Sequence, residues 1–240
     1  MTDTASKYFP YLAEVKKRLL LTGSIFIIST ALGFFYYEKL ITLALSMFRF
    51  EGVNIVFTSP FQFLDLSINT ALTVGLVSTF PLLLWQLLTF IKPALTKKEF
   101  SIVLKMVPVA IVLFIAGFGF GILIMKTVIE MFYQKSQALS VGNILDVSKI
   151  LSQVLLTSVL MGVAFEFPVV LTFLIQFKII TTKVMAKNRV FAWAISLVFA
   201  ALLPPTDLLS LFLLTLPLVL LFEFTLILNK LVFRPKHKRR

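Results

Sequence analysis

One carboxylate of this sequence stands alone in a long apolar run. Glu166 lies in the stretch MGVAFEFPVV (161–170), and no other residue between Ile150 and Phe177 carries a formal charge. An ionised side chain at the centre of a bilayer costs roughly 2.5–3.5 kcal/mol on insertion scales. A carboxylate in such a place predicts a functional site. The alternative is a local hydrogen bond that packs one helix against another.

Two further carboxylates, Glu14 and Glu99, lie in strongly basic segments. Glu14 precedes Arg18 by four residues, which is the spacing of an ion pair along one helix face. Glu99 follows Thr96 in TKKE, immediately before the apolar FSIVL, and this pattern predicts a capping box at the start of a helix. The capping role does not prevent Glu99 from binding a cationic ligand as well.

The composition indicates that these carboxylates belong to a protein built of membrane spans. Of the 240 residues, 59% are hydrophobic and 14% are charged, whereas a soluble domain is nearer half apolar and a quarter charged. Apolar runs of about 20 residues can cross a bilayer. The sequence predicts an all-α membrane protein with six spans, at about 19–37, 67–91, 106–125, 150–177, 190–203 and 208–228. We expect a single transmembrane domain over 1–240, with an N-terminal segment 1–18 and a basic tail 229–240.

The basic residues predict the orientation of the spans. The segments before span one, after spans two and four, and after span six hold 18 of the 23 Lys and Arg residues. The positive-inside rule therefore places both termini in the cytoplasm. Because the net charge of +12 is divided among short loops, it indicates membrane topology and attraction to anionic lipid, not a nucleic-acid partner. The first apolar run continues to Tyr37, too far for a cleavable signal peptide.

Spans five and six are predicted to be short. Span five has 14 residues, or about 21 Å of helix, against a hydrocarbon core of roughly 30 Å. In span six, Glu223 is predicted to mark the inner boundary; the alternative is a span of normal length from which Glu223 reaches the interface. Pro204, Pro205 and Asp207 then form a tight external hairpin between the two spans.

The three spans predicted to run inward each contain a proline, namely Pro81, Pro168 and Pro217. A proline inside a helix removes a backbone hydrogen bond and kinks the helix. Three kinks on parallel helices would bow the bundle, which predicts a concave face. The alternative is the ordinary tolerance of membrane helices for proline.

Four segments carry a family resemblance: YLAEVKKRLL (11–20), FPLLLWQLLTFIKPALTKKEF (80–100), MGVAFEFPVVL (161–171), and the stretch from Arg189 through PPTD to LPLVLLFE. Their order and spacing resemble the TatC family, the multispanning receptor subunit of the twin-arginine protein translocase. The resemblance covers nearly the whole chain. It implies a signal-peptide receptor and core subunit that exports folded proteins, driven by the proton gradient. It implies no enzymatic activity, no cofactor and no metal.

The resemblance also implies site residues. The residues that match the family's signal-peptide-binding positions are Glu14, Arg18, Gln86, Phe90 and Glu99, and Glu166 matches its membrane glutamate. In the family the two cytoplasmic glutamates hold the paired arginines of a signal peptide. The chain departs from the family pattern at four places: Tyr11, Lys16, Met47 and Ser210-Leu211, besides the order PPTD in the external hairpin.

The partners implied are twin-arginine signal peptides of folded cargo, TatA- and TatB-type single-span proteins that engage near Glu166, further copies of this chain and the lipid bilayer. The membrane implied is the prokaryotic cytoplasmic membrane or an organellar equivalent. The chemistry agrees, because a guanidinium presents a planar fork of donors that a carboxylate matches and lysine lacks. Gln86 and Phe90, one helical turn apart, would border the route of the apolar part of the peptide; alternatively Phe90 only faces lipid.

A proton-coupled secondary transporter with Glu166 as the proton carrier is the main alternative function. The spans offer no second acidic or histidine partner near Glu166, because His237, the one histidine, lies in the tail. The chain also lacks the inverted repeat found in many transporters. A passive structural scaffold is the third possibility.

Overall fold

The structure, a computed structural model, describes residues 3–47, 54–56, 59–138 and 144–232. Predictions for the tail beyond residue 232, and for the side chain of Tyr11, lie outside the described part. The helices are α1 Asp3–Phe35, α2 Tyr37–Met47, α3 Pro60–Ile91, α4 Lys97–Ala138, α5 Val147–Ala164, α6 Phe167–Gln176, α7 Thr182–Lys187, α8 Arg189–Ala201 and α9 Leu208–Val232. Two short strands, β1 Asn54–Val56 and β2 Ile144–Asp146, pair in parallel.

Helices occupy all six predicted spans. Five stretches are long and apolar enough to cross a membrane: Ala13–Phe35, Pro60–Ile91, Glu99–Ala138, Val147–Gln176 and Leu208–Leu231. The fifth predicted span is α8, which has only 13 residues, so its shortness is confirmed. The prediction of a short sixth helix is wrong, because α9 has 25 residues. Apolar residues resume after Glu223, and the helix continues to Val232.

The loops between the first spans contain elements that the sequence patterns did not predict. Helix α2 and the β1–β2 pair are both additional to the spans, and α3 begins well before the predicted start at residue 67. Ser59 explains that start, since its hydroxyl accepts the N–H of Phe61 while the Gln62 side chain accepts the N–H of Ser59. The strand pair joins two loops that the predicted orientation places on the same side of the membrane.

Only one of the three predicted proline sites interrupts its helix. The fourth span divides between Ala164, where α5 ends, and Phe167, where α6 begins. Pro168 has no N–H to donate to the carbonyl of Ala164, which accounts for the break. Helices α3 and α9 run continuously through Pro81 and Pro217. Helix α4 also contains an internal proline, so prolines are not confined to the inward spans.

The chain divides into two compact units, one formed by residues 1–107 with 144–155 and the other by 108–143 with 156–240. In the first unit α1 packs along α3. A Cβ on Gly33 would lie 2.8 Å from the Cβ of Val74, and one on Gly75 would lie 2.1 Å from the hydroxyl of Thr30. Glycine on both helices therefore permits their close approach.

In the second unit α4 packs against α5 through glycines four residues apart. A Cβ on Gly117 would lie 2.6 Å from the carbonyl oxygen of Met161, and one on Gly121 would lie 2.6 Å from the Cα of Ser158. This spacing is typical of closely packed membrane helices. One buried cluster of the unit consists of Ile124, Val128, Met161, Phe165, Ala200, Leu203, Leu214 and Leu218.

Candidate functional site

The first predicted site residues, Glu14 and Arg18, form an ion pair on α1. The Nε of Arg18 donates to Oε1 of Glu14 at 3.1 Å, and its NH2 group donates to the same oxygen. This confirms the predicted pairing of residues four apart. The Glu14 side chain remains 47% exposed, against 20% for Arg18. A carboxylate at this position is therefore accessible to a ligand and already binds a guanidinium.

Arg18 also connects α1 to α3. Its NH1 group donates to the carbonyl oxygen of Gln86 at 3.1 Å. Phe90 lies one turn further along α3, and 44% of it is exposed. The structure thus brings Glu14 and Gln86 together through Arg18. Sequence reasoning missed this contact, because the acceptor is a backbone carbonyl that carries no signal in its residue type.

Glu99 occupies the first turn of α4, shortly after the C-terminal end of α3. A 3-10 turn, Lys92–Ala94, follows α3, and Thr96 immediately precedes α4. Oε2 of Glu99 accepts the backbone N–H of Thr96 at 2.9 Å and its hydroxyl at 2.7 Å, and the N–H of Glu99 donates to that hydroxyl at 3.4 Å. The predicted capping box is confirmed. All five residues predicted to bind a signal peptide belong to one compact unit.

The surroundings of these carboxylates are basic. Exposed lysines flank them on α1, in the turn after α3 and at the start of α4: Lys16, Lys17, Lys92 and Lys97. Lys92 lies with its ammonium 5.2 Å from the centroid of the Phe100 ring. The surrounding lysines repel cations. A cationic ligand is therefore favoured here only where it can bond directly to one of the two carboxylates. Within the described residues there is no group of three or more His, Cys, Asp or Glu that could hold a metal ion.

Glu166 belongs to the second unit and sits at the break in the fourth span. It precedes α6, where its carbonyl accepts the N–H groups of Val169 and Val170. The residue is only 9% exposed, and its Oε1 is buried without a hydrogen-bond partner among the described residues. The backbone at this point is satisfied, whereas Oε1 of the carboxyl has no partner among the described residues. The described residues therefore provide no packing hydrogen bond to Oε1.

Glu223, which the sequence placed at a membrane boundary, has partners on α8. Oε2 of Glu223 lies 3.7 Å from the NH1 group of Arg189, and its Oε1 accepts the indole N–H of Trp193 at 3.3 Å. Glu223 therefore lies beside the first turns of α8, the end at which that helix is predicted to enter the membrane. These partners explain how α9 continues through a charged residue.

The predicted hairpin joins α8 and α9, which pack against each other. It contains a cis peptide bond between Pro204 and Pro205. Asp207 caps α9, since its Oδ1 accepts the N–H of Ser210 at 2.9 Å and its Oδ2 accepts the Ser210 hydroxyl. The hydroxyl of Thr157 donates to the carbonyl of Pro204 and ties the hairpin to α5. The tight turn is confirmed, and its external location stays a prediction.

The fold and these sites define a multispanning helical membrane protein with carboxylates at one basic end and a further carboxyl within a span. A family model described as Sec-independent protein translocase protein (TatC) matches residues 10–217. The chain belongs to the TatC family. It is accordingly an integral protein of the cytoplasmic membrane and a component of a Sec-independent protein translocase.

Individual relatives cover nearly all of the chain. The Sec-independent protein translocase protein TatCy of Bacillus subtilis (strain 168) is 31% identical over 95% of this chain and 90% of its own length. TatC of Aquifex aeolicus (strain VF5) is 29% identical over 94% of this chain and 95% of its own length. A crystal structure of the twin-arginine translocase receptor TatC superposes with a TM-score of 0.81 at 29% identity, covering 93% of this chain and all of that one. A second, in the detergent DDM, gives 0.82 at 27% identity, covering 92% and 99%.

Proposed function

We propose that this chain is the signal-peptide receptor of its translocase, and that Glu14 and Glu99 hold the paired arginines of a twin-arginine signal peptide. The observation that carries the proposal is the Glu14 carboxylate, which is half exposed and is bonded to a guanidinium. Its position in the same unit as Glu99 supports the pairing of the two groups. The similar crystal structures are of a twin-arginine translocase receptor, which supports the same function.

The chemistry of the site favours arginine over lysine. Bonds between a guanidinium and a carboxylate are charge-assisted and roughly twice as strong as neutral hydrogen bonds. A lysine ammonium lacks the planar fork and forms no bidentate pair. The exposed lysines around the site repel cations that do not gain such bonds. Two paired arginines are therefore the ligand that offsets this repulsion at both carboxylates.

The inner end of α3 supplies the border of the peptide site. Arg18 bonds to Gln86 on this helix, and the half-exposed ring of Phe90 lies one turn beyond it. An apolar segment that follows the arginine pair can pack against that ring. Phe90 and Gln86 are thereby proposed to guide the apolar part of the signal peptide.

Glu166 is proposed to contact TatA- and TatB-type single-span partners. Its carboxyl is buried and has no partner among the described residues, so a polar group on another chain would satisfy it. Because the sequence contains no nucleotide-binding motif, the energy for transport is proposed to come from the proton gradient. Folded cargo bearing twin-arginine signals and further copies of the chain complete the proposed assembly.

The test is export of a folded reporter. The chain, produced together with its partners in cells that lack their own twin-arginine translocase, should export a folded fluorescent protein carrying a twin-arginine signal. The same reporter with two lysines in place of the arginines serves as the control and should remain in the cytoplasm. Equal export of both reporters, or of neither, contradicts the proposal.

A further inference from the structure

The docking carboxylate Glu14 is occupied by an arginine of the chain itself. We propose that Arg18 holds Glu14 in the resting receptor and that a signal-peptide arginine binds by displacing it. This inference rests on the proposed function of Glu14 and describes how access to that carboxylate is regulated. Arg18 thus acts as an internal competitor, through Glu14, and does not itself contact the arginines of the peptide.

The geometry of the pair explains why displacement is needed. Nε and NH2 of Arg18 both donate to one oxygen, Oε1 of Glu14. A bidentate pair between a guanidinium and a carboxylate uses both oxygens in parallel bonds. An incoming arginine can therefore complete its fork only after Arg18 releases Oε1. The released side chain still has an acceptor, because its NH1 already donates to the carbonyl of Gln86.

The proposed exchange concerns Glu14. Oε2 of Glu99 accepts two bonds from Thr96, one from the backbone and one from the hydroxyl. At Glu14, binding exchanges one guanidinium, that of Arg18, for another.

An internal competitor has a specific thermodynamic effect. The apparent affinity of any ligand falls by the fraction of receptors in which the site is available. This factor depends only on the receptor, so it is the same for every ligand, strong or weak, that binds Glu14 only after Arg18 has released it. Arg18 should consequently set how tightly signal peptides bind, while leaving the preference for arginine over lysine unchanged.

The experiment measures peptide affinity for the full-length receptor in lipid nanodiscs by fluorescence anisotropy. Two labelled peptides are used, one with the twin-arginine pair and one in which a lysine replaces one arginine. Arg18→Gln should bind both about two- to fivefold more tightly, the factor that an exposed ion pair of this kind is worth. The ratio of the two affinities should equal that of the wild type. Arg18→Lys, which retains the charge without the fork, should fall between.

Lys17→Gln is the matched control, because it removes one exposed positive charge from the same helix. It should change the affinities by less than Arg18→Gln. An equal gain in both variants would assign the effect to general electrostatics and overturn the inference. Weaker binding of both peptides to folded Arg18→Gln, or a changed ratio between them, would overturn it too. If Arg18→Gln does not fold, Arg18→Lys decides the question. A peptide affinity of Arg18→Lys that is equal to or weaker than that of the wild type would then overturn the inference.

Different results would contradict the proposed function. The wild-type receptor would then show no preference for the twin-arginine peptide, or Glu14→Ala would bind it with wild-type affinity. If the wild type prefers the twin-arginine peptide and Glu14→Ala loses it, the proposed function stands and the Arg18 variants decide the inference alone.

Discussion

Replacing Glu166 by Met is expected to stabilise the folded protein. The residue is 9% exposed, and its Oε1 has no hydrogen-bond partner among the described residues. A buried polar group without a partner costs about 1–3 kcal/mol, and Met fills a similar volume with no group that requires a bond. The free energy of unfolding should therefore rise by about 1–3 kcal/mol. Glu166→Gln keeps an unpartnered polar group in the same place and should stay close to the wild type.

The assay is equilibrium unfolding of the purified protein in mixed micelles, followed by circular dichroism. Glu166→Gln is the matched control, because it has nearly the same shape and differs only in the ability to ionise. A loss of stability in Glu166→Met, with Glu166→Gln unchanged, would show that the side chain makes a stabilising polar contact within the fold. That result would restore the packing hydrogen bond as the role of Glu166.

The same site separates a polar contact from a proton carrier when export is measured per inserted molecule. A polar-contact role predicts substantial export by Glu166→Gln and a large loss in Glu166→Ala, because only Gln keeps hydrogen-bonding capacity. Both variants should still bind the signal peptide. A proton carrier requires a titratable group, so Glu166→Gln would then be as inactive as Glu166→Ala. Equal and complete loss at normal protein levels contradicts the polar contact.

Three further predictions concern the scaffold. Gly121→Ala should destabilise the protein by about 1–3 kcal/mol through overpacking, because the new Cβ would lie 2.6 Å from the Cα of Ser158. Gly119→Ala is the control, because a Cβ on Gly119 would have nothing within 4 Å. Equal unfolding midpoints of the two variants would refute the packing argument. Thr206→Cys, in the exposed hairpin, should react with a membrane-impermeant maleimide in intact cells, and protection would contradict the external location. Asp146→Ala should cost about 1–2 kcal/mol of unfolding free energy, because Asp146 caps α5 and accepts the amide of Gln62 at 2.6 Å; an unchanged midpoint would contradict that role.

Features that depend on local spacing could be predicted from the sequence. The pair formed by Glu14 and Arg18 and the capping box at Glu99 each involve residues within one turn of a helix, and both are confirmed. The start of α3 was equally readable, since Ser59 and Gln62 flank a proline in a capping-box pattern. The long apolar spans follow from the same reasoning, because their length is a property of one continuous segment.

Features that depend on distant segments could not be predicted. The bond from Arg18 to the carbonyl of Gln86 joins two helices, and the β1–β2 pair joins two loops. The prediction of a short sixth helix is wrong for the same reason. The charge of Glu223 predicts the end of the span, whereas Arg189 and Trp193 on α8 bind that carboxylate and the helix continues beyond it. The pattern of residues within one segment does not show which residues of a distant helix will contact it.

Glu14 and Glu99 are proposed to hold the arginines of the signal peptide together. The most direct measurement is photo-crosslinking of a twin-arginine peptide to the receptor in membranes, normalised to the amount of inserted protein. Each single Ala replacement should weaken binding about tenfold or more, since bonds to charged groups contribute about 1.5–3 kcal/mol, and the double replacement should abolish crosslinking. Glu130→Ala, which removes the acidic half of another pair of residues four apart, should leave it unchanged. Full crosslinking by the double variant would contradict the claim.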